Sequence, residues 1–175
     1  MDSMETFENL VSIMDRLREP SGCPWDREQT YDTLRGYLLE ECYEVVEALD
    51  VADRRALLEE LGDLLFQIVF LSRLAKEEGH FTTVDVVRSV AEKMVRRHPH
   101  VFGGDRANTS EEVLRNWEEI KRRERYDQPA NLGPESGHSI LSGIPHALPA
   151  LLKAHRLGAK AARVGFDWRR DRDLF

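Results

Sequence analysis

Cysteine is nearly missing from this chain, with only Cys23 and Cys42 among 175 residues. Their spacing fits no zinc pattern and offers no disulfide framework, which points to a reduced, cytoplasmic protein. Long apolar runs are missing too. The longest fall far short of a membrane span, and Met1-Asp-Ser-Met-Glu5 lacks the basic start and apolar stretch of a signal peptide. Positive charge is in deficit: 25 Lys+Arg face 32 Asp+Glu, for a formal net charge of -7. General affinity for nucleic acid or an anionic membrane is therefore not expected. There is no Gly-rich phosphate loop, no Gly-x-Ser-x-Gly elbow and no cysteine placed as a nucleophile with a partner. Strand signals are scarce.

Helical periodicity fills the gap. The chain is 41% hydrophobic and 33% charged, a mix that suits a globular domain with a real core. A first helix is expected from Thr6 to Leu17, with Phe7, Leu10, Val11, Met14 and Leu17 on one face, and Pro20-Ser-Gly-Cys-Pro24 breaks it. Thr30 caps a second helix to Leu49, and Asp53 caps a long third helix reaching Glu78, where Gly79 stops it. The short link between these two makes them an antiparallel hairpin. A fourth helix opens at Thr83 and ends near Arg97, before Pro99. Thr109-Ser-Glu-Glu112 has the pattern of a capping box and opens a fifth helix to Tyr126. Residues 127–145, rich in Pro, Gly, Asn and Ser, read as a linker, and a last helix is expected from His146 to Arg163. The third helix is apolar on more sides than one hairpin and a few short helices can cover, so the expected fold is an all-α antiparallel bundle completed by homodimerisation.

One acidic pattern occurs twice. Glu40-Glu41-Cys-Tyr-Glu44 is followed, nineteen residues on, by Glu59-Glu60-Leu-Gly-Asp63. On a helix, carboxylates at i, i+1 and i+4 gather into a patch about one turn long. The second patch lies in an apolar segment, Leu57 to Leu71, that reads as buried, and a buried carboxylate needs a cation or donor beside it. Mid-helix on a hairpin, the two patches can face each other. Glu41, Glu44, Glu60 and Asp63 then form an oxygen cage suited to Mg²⁺ or Mn²⁺, which accept carboxylates and keep waters for a phosphate substrate. Taken alone, the patch on the second helix fits a solvated acidic face equally well. Gly62, about 1 kcal/mol worse than Ala inside a helix, suits a place where packing or a ligand needs room.

On the fourth helix Lys93, Arg96 and Arg97 share a stripe beside Val87, Val90 and Met94. Alone the stripe reads as favourable charge at a helix C-terminus; beside a metal cage it becomes a phosphate clamp. Trp117 could stack on a base, although a single helical Trp more often packs in a core. Lys121-Arg-Arg-Glu-Arg125 reads as a solvated helix end, and His98-Pro-His100 fits no zinc spacing.

Taken together, Gly22-Cys-Pro-Trp-Asp26, Leu39-Glu-Glu-Cys-Tyr-Glu-Val45, Glu59-Glu-Leu-Gly-Asp-Leu-Leu-Phe66, Arg96-Arg-His-Pro-His-Val-Phe102, Trp117-Glu-Glu-Ile-Lys121 and Val164-Gly-Phe-Asp-Trp168 resemble the MazG family of nucleoside triphosphate pyrophosphohydrolases, within the all-α NTP pyrophosphatase superfamily. The resemblance covers nearly the whole chain and rests on joint order and spacing. It implies Mg²⁺-dependent cleavage of an NTP or dNTP between the α- and β-phosphates, giving NMP and pyrophosphate, a nucleotide-pool housekeeping reaction. By position it assigns the metal to Glu41, Glu44, Glu60 and Asp63. Glu40 and Glu59 fall at the rim, where they could orient or deprotonate water. Lys93, Arg96 and Arg97 match the phosphate-contacting motif, and Trp117 a position associated with the nucleotide. It also implies a homodimer. Residues 1–126 then form the MazG-like domain, and 146–175 a C-terminal helix leading into the start of a truncated second copy, since many relatives carry two in tandem. Two other readings stand beside the enzyme: a dimeric scaffold with a vestigial acidic site, and a module that senses nucleotide without turning it over.

Overall fold

The computed structural model describes residues 6–127, 141, 143–162 and 165–166. The chain divides into two compact units, Met1–Val113 and Leu114–Phe175. The described residues form eight helices and no strand: α1 (Phe7–Leu17), α2 (Pro24–Glu28), α3 (Tyr31–Asp50), α4 (Arg54–Glu77), α5 (Thr83–Arg97), α6 (Pro99–Phe102), α7 (Ser110–Asp127) and α8 (Ala150–Ala162).

Local chemistry sets most of the boundaries. Thr6 Oγ1 accepts from the Asn9 amide at 3.3 Å to open α1. Thr30 and Thr33 form a reciprocal capping box at the start of α3, as Thr82 and Asp85 do for α5. Asp53 Oδ1 accepts from the amides of Arg55 and Ala56, opening α4. Both hairpin helices end with the chain turning left-handed. At the end of α4 the residue is Gly79 (φ 74°), as the sequence suggests, but at the end of α3 it is Ala52 (φ 57°). Each end carries the paired hydrogen bonds of a Schellman motif, Asp53 to Ala48 and Ala52 to Leu49 in one, His80 to Ala75 and Gly79 to Lys76 in the other. Asp53 therefore closes one helix and opens the next.

Three expectations need correction. The Pro20–Pro24 break contains the start of a short helix, α2, and a second short helix follows Pro99. Both begin at a proline, whose fixed φ and missing N–H suit the first helical position. At Thr109 the capping box is half formed. Glu112 donates its amide to Thr109 Oγ1, while its carboxylate accepts from the Asn108 amide rather than from that of Thr109. The last helix begins at Ala150 rather than His146, because Pro149 disfavours helical backbone at Leu148. Most of the expected linker, 128–140 and 142, lies outside the described residues, as do Arg163, Asp167 and Trp168.

In the first unit α3 and α4 pack as the antiparallel hairpin, with α1 across the far half of α4. Met14, Leu34, Val69, Phe70 and Leu74 form the buried core, flanked by Phe7, Leu10, Val11, Phe66 and Leu71. Arg18 ties the layers together: its guanidinium grips both Glu77 oxygens at 2.8 Å. It also donates to the carbonyls of Asp26 and Gln29 and lies 5.6 Å from the Phe70 ring centroid. Arg73 and Lys76 of α4 hold Asp15 of α1 at 2.7 and 2.8 Å.

Burial along α4 is uneven. Its buried positions run from Gln67 to Ala75, whereas Leu58, Leu61 and Leu65 in the first half are exposed. The apolar segment read as wholly buried is thus buried only in part, from Gln67 onward and with Ile68 exposed.

Candidate metal centre

The acidic residues sit in this uncovered half of the hairpin. Antiparallel pairing brings the middle of α3 against the first turns of α4, and Glu41, Glu60 and Asp63 each place a carboxylate oxygen within 4.8 Å of the other two. Glu41 and Glu60 are half-buried and Asp63 is exposed. Glu44, also exposed, is one turn along α3 from Glu41. Its oxygens are not part of that three-residue group, yet its charge acts on both Glu41 and Glu60. Glu40 and Glu59 are exposed at the edge. The patch is therefore half open to solvent rather than enclosed.

Crowding shows in the proton affinities. Burial, together with the charges of Asp63 and Glu44, pushes the Glu41 carboxyl above its usual range, opposed by a hydrogen bond from Gln67. Burial also raises Glu60, with Glu44, Asp63, Glu59 and Glu47 adding to the effect. Like charges held this close disfavour simultaneous ionisation, and a divalent cation removes that penalty. The donor set is oxygen only, which is the chemistry of a hard ion such as Mg²⁺ or Mn²⁺. One buried atom beside it is also unsatisfied: Gln67 Oε1 has no hydrogen-bond partner among the described residues. The residues fit a hydrated divalent cation.

The other predicted residues are placed as follows. Lys93, Arg96 and Arg97 lie in the last two turns of α5, in the same unit as the carboxylates, with Lys93 and Arg97 half-buried and Arg96 exposed. Trp117 is half-buried on α7, in the second unit. The His98 and His100 rings lie 5.7 Å apart, tilted by 54°, and His98 Nδ1 is bound to the Met94 carbonyl at 2.6 Å, which ties the turn between α5 and α6. Gly62 has open space where a Cβ would lie, so close packing inside this chain is not its reason. Sequence reading missed two participants. Glu47 adds negative charge at Glu60, and its position one turn beyond Glu44 was the available signal. Gln67 contacts Glu41; the signal was a single amide within the apolar run Leu64 to Phe70.

Comparison with known proteins bears on this arrangement. Residues 29–102, which contain all six acidic positions and the basic stripe, match the MazG nucleotide pyrophosphohydrolase domain. The chain is 47% identical over 166 residues to a nucleoside triphosphate pyrophosphohydrolase of Escherichia coli K12, covering 94% of this chain and 60% of that one. It is 45% identical to the nucleoside triphosphate pyrophosphohydrolase/pyrophosphatase MazG of Thermotoga maritima, covering 93% of this chain and 59% of that one. The chain thus spans about 60% of the length of these curated relatives. The crystal structure of a MazG-related protein from Thermotoga maritima superposes with a TM-score of 0.56 at 31% identity, over 66% of this chain and 98% of that one. With the helical hairpin, the facing acid patches and a solved relative matched along almost its whole length, the chain belongs to the MazG family.

Proposed function

We propose that this chain hydrolyses nucleoside triphosphates between the α- and β-phosphates, releasing NMP and pyrophosphate, with Mg²⁺ or Mn²⁺ held by Glu41, Glu44, Glu60 and Asp63. The observation that carries this reading is the convergence of Glu41, Glu60 and Asp63 oxygens within 4.8 Å across two helices. When bound, the cation supplies charge neutralisation at the phosphates and an acidified water. Water attacks the α-phosphorus in line, the bond to the bridging oxygen breaks, and pyrophosphate leaves with that oxygen. Glu40 and Glu59, both exposed, would orient the water and take its proton. Lys93, Arg96 and Arg97 stabilise the charge that builds on the leaving group, and Trp117 is the position assigned to the nucleotide. No residue pattern selects one base, which supports a broad NTP and dNTP range. The active form is a homodimer, supported by the large apolar residues that α3 and α4 leave exposed.

Pyrophosphate release from several NTPs, measured with Mg²⁺ and with chelator, tests the reaction. Wild type should be active only with metal, and Glu44→Ala and Asp63→Ala should each lose about 100-fold or more, the scale of removing one charge-stabilising group from an active site. Metal-independent release, or unchanged release in both variants, sinks this assignment. A folded chain that binds NTP and releases nothing would instead be the nucleotide-sensing module.

A further inference from the structure

Gln67 lies four residues beyond Asp63 and seven beyond Glu60, so these three residues form one stripe along α4 toward α3. It is 7% exposed, the most buried polar residue near the acidic group. Its Nε2 donates to Glu41 Oε1 at 3.4 Å, a long contact for an amide beside a carboxylate. Its own Oε1 is buried without a partner among the described residues. Turning the amide over would not help, because it would set an acceptor against the Glu41 carboxylate. One end of this side chain is therefore committed to a metal-site carboxylate, and the other presents a buried acceptor that lacks a donor. Buried polar atoms are rarely left so. Hydrated divalent cations surround themselves with O–H donors, and residues that accept from that shell while bracing a ligand recur around metal sites.

We propose that Gln67 is a positioning residue for the cation: its amide nitrogen fixes the Glu41 carboxylate, and its buried carbonyl oxygen accepts a hydrogen bond from the hydration shell of the bound ion. This rests on the metal-site reading above. Gln67 does not touch the substrate in this arrangement; it acts through Glu41 and through water.

The test is Mn²⁺ binding to the full chain, followed by electron paramagnetic resonance, in wild type, Gln67→Met and Asp63→Ala. Methionine keeps the length and volume while removing both polar ends. The dissociation constant for Mn²⁺ should rise about 10- to 100-fold in Gln67→Met, while the thermal midpoint without cation is kept or raised, since a buried unsatisfied acceptor has gone. A residue that only packs would leave Mn²⁺ affinity where it was, and a folded Gln67→Met with wild-type affinity overturns the proposal. A second measurement needs no variant. In wild type the Gln67 side-chain NH₂ signals in a ¹⁵N spectrum should shift as Mg²⁺ is added, in step with the Asp63 backbone amide. A shifting Asp63 with a silent Gln67 side chain again overturns it. If wild type binds no Mn²⁺, or Asp63→Ala binds it equally well, the cation site itself is wrong. That outcome is distinct from a failure at Gln67 alone.

Discussion

Asp63 is the exposed member of the acidic trio, and its charge raises the proton affinity of both Glu41 and Glu60. Glu41 and Glu60 therefore oppose folding at neutral pH when no cation is present. A carboxyl whose folded pKa is raised costs stability as pH climbs through that pKa, and the loss is recovered below its ordinary value of 4.5. Metal-free protein should accordingly gain thermal stability as pH falls from neutral toward 5, and saturating Mg²⁺ should flatten that trend. Asp63→Asn should raise the metal-free thermal midpoint and abolish its rise on adding Mg²⁺. Scanning calorimetry across pH and Mg²⁺ concentration checks both, and a variant that loses stability without metal would contradict this electrostatic account. At Ala52 the strain is in the backbone rather than in charge. An alanine at φ 57° closes α3 where glycine is the usual residue, so Ala52→Gly should stabilise the hairpin by about 1 kcal/mol, read from urea denaturation.

Among the elements, α1 and α4 are joined by more than apolar contact. The Arg18 side chain is 8% exposed, paired with Glu77 and bound to two backbone carbonyls of the α2 region. Hydrogen bonds from Arg18 hold Glu77 below its usual range, against the opposing effect of burial, and Arg73 assists. Burial would raise Asp15, but hydrogen bonds from Lys76 and Arg73 outweigh it and lower it. The stabilisation these two acids give is complete above their ordinary values of 4.5 and 3.8 and is lost as pH falls through their lower folded values. Arg18→Met keeps the packing on Phe70 but leaves Glu77 and two carbonyls without this donor. It should cost about 2–4 kcal/mol at pH 7, and less at pH 3, below the ordinary Glu77 value of 4.5, where the stabilisation from this acid is being lost. Urea midpoints at the two pH values give the comparison, and an equal cost at both would remove the ion pair from the explanation. Helix starts were legible because Thr6, Thr30, Asp53 and Thr82 to Asp85 cap by local hydrogen bonds; Arg18 was not, because its partner Glu77 is distant in sequence.

At the scale of the whole molecule, the first unit leaves large apolar side chains in solvent. Leu58 is 76% exposed and Leu61 49% on α4, with Leu39, Tyr43 and Val46 exposed on α3. Scattered apolar residues on a surface are ordinary, whereas large ones repeated at helical spacing on two packed helices mark an interface. Light scattering should give a mass near twice the 20.2 kDa chain, and Leu58→Lys with Leu61→Lys should shift it toward the single-chain value while helical content is kept. A wild-type monomer at micromolar concentration would overturn the dimer. Among the described residues no helix is long and apolar enough to cross a membrane.

The sequence by itself determined the long helices and marked the acidic residues as candidates, because caps, 3.6-residue periodicity and the repeated Glu-Glu-x-x-acid spacing act over a few residues at a time. It also carried the family, through motifs whose order survives in the chain. Only the tertiary structure decided which oxygens meet and how wet they are. The register of α3 on α4 brings Glu41, Glu60 and Asp63 together with Glu44 to one side. Packing with α1 buries Val69, Phe70 and Leu74, while Leu58, Leu61 and Leu65 stay exposed. Those outcomes depend on packing between segments far apart in the chain, and no local pattern contains them.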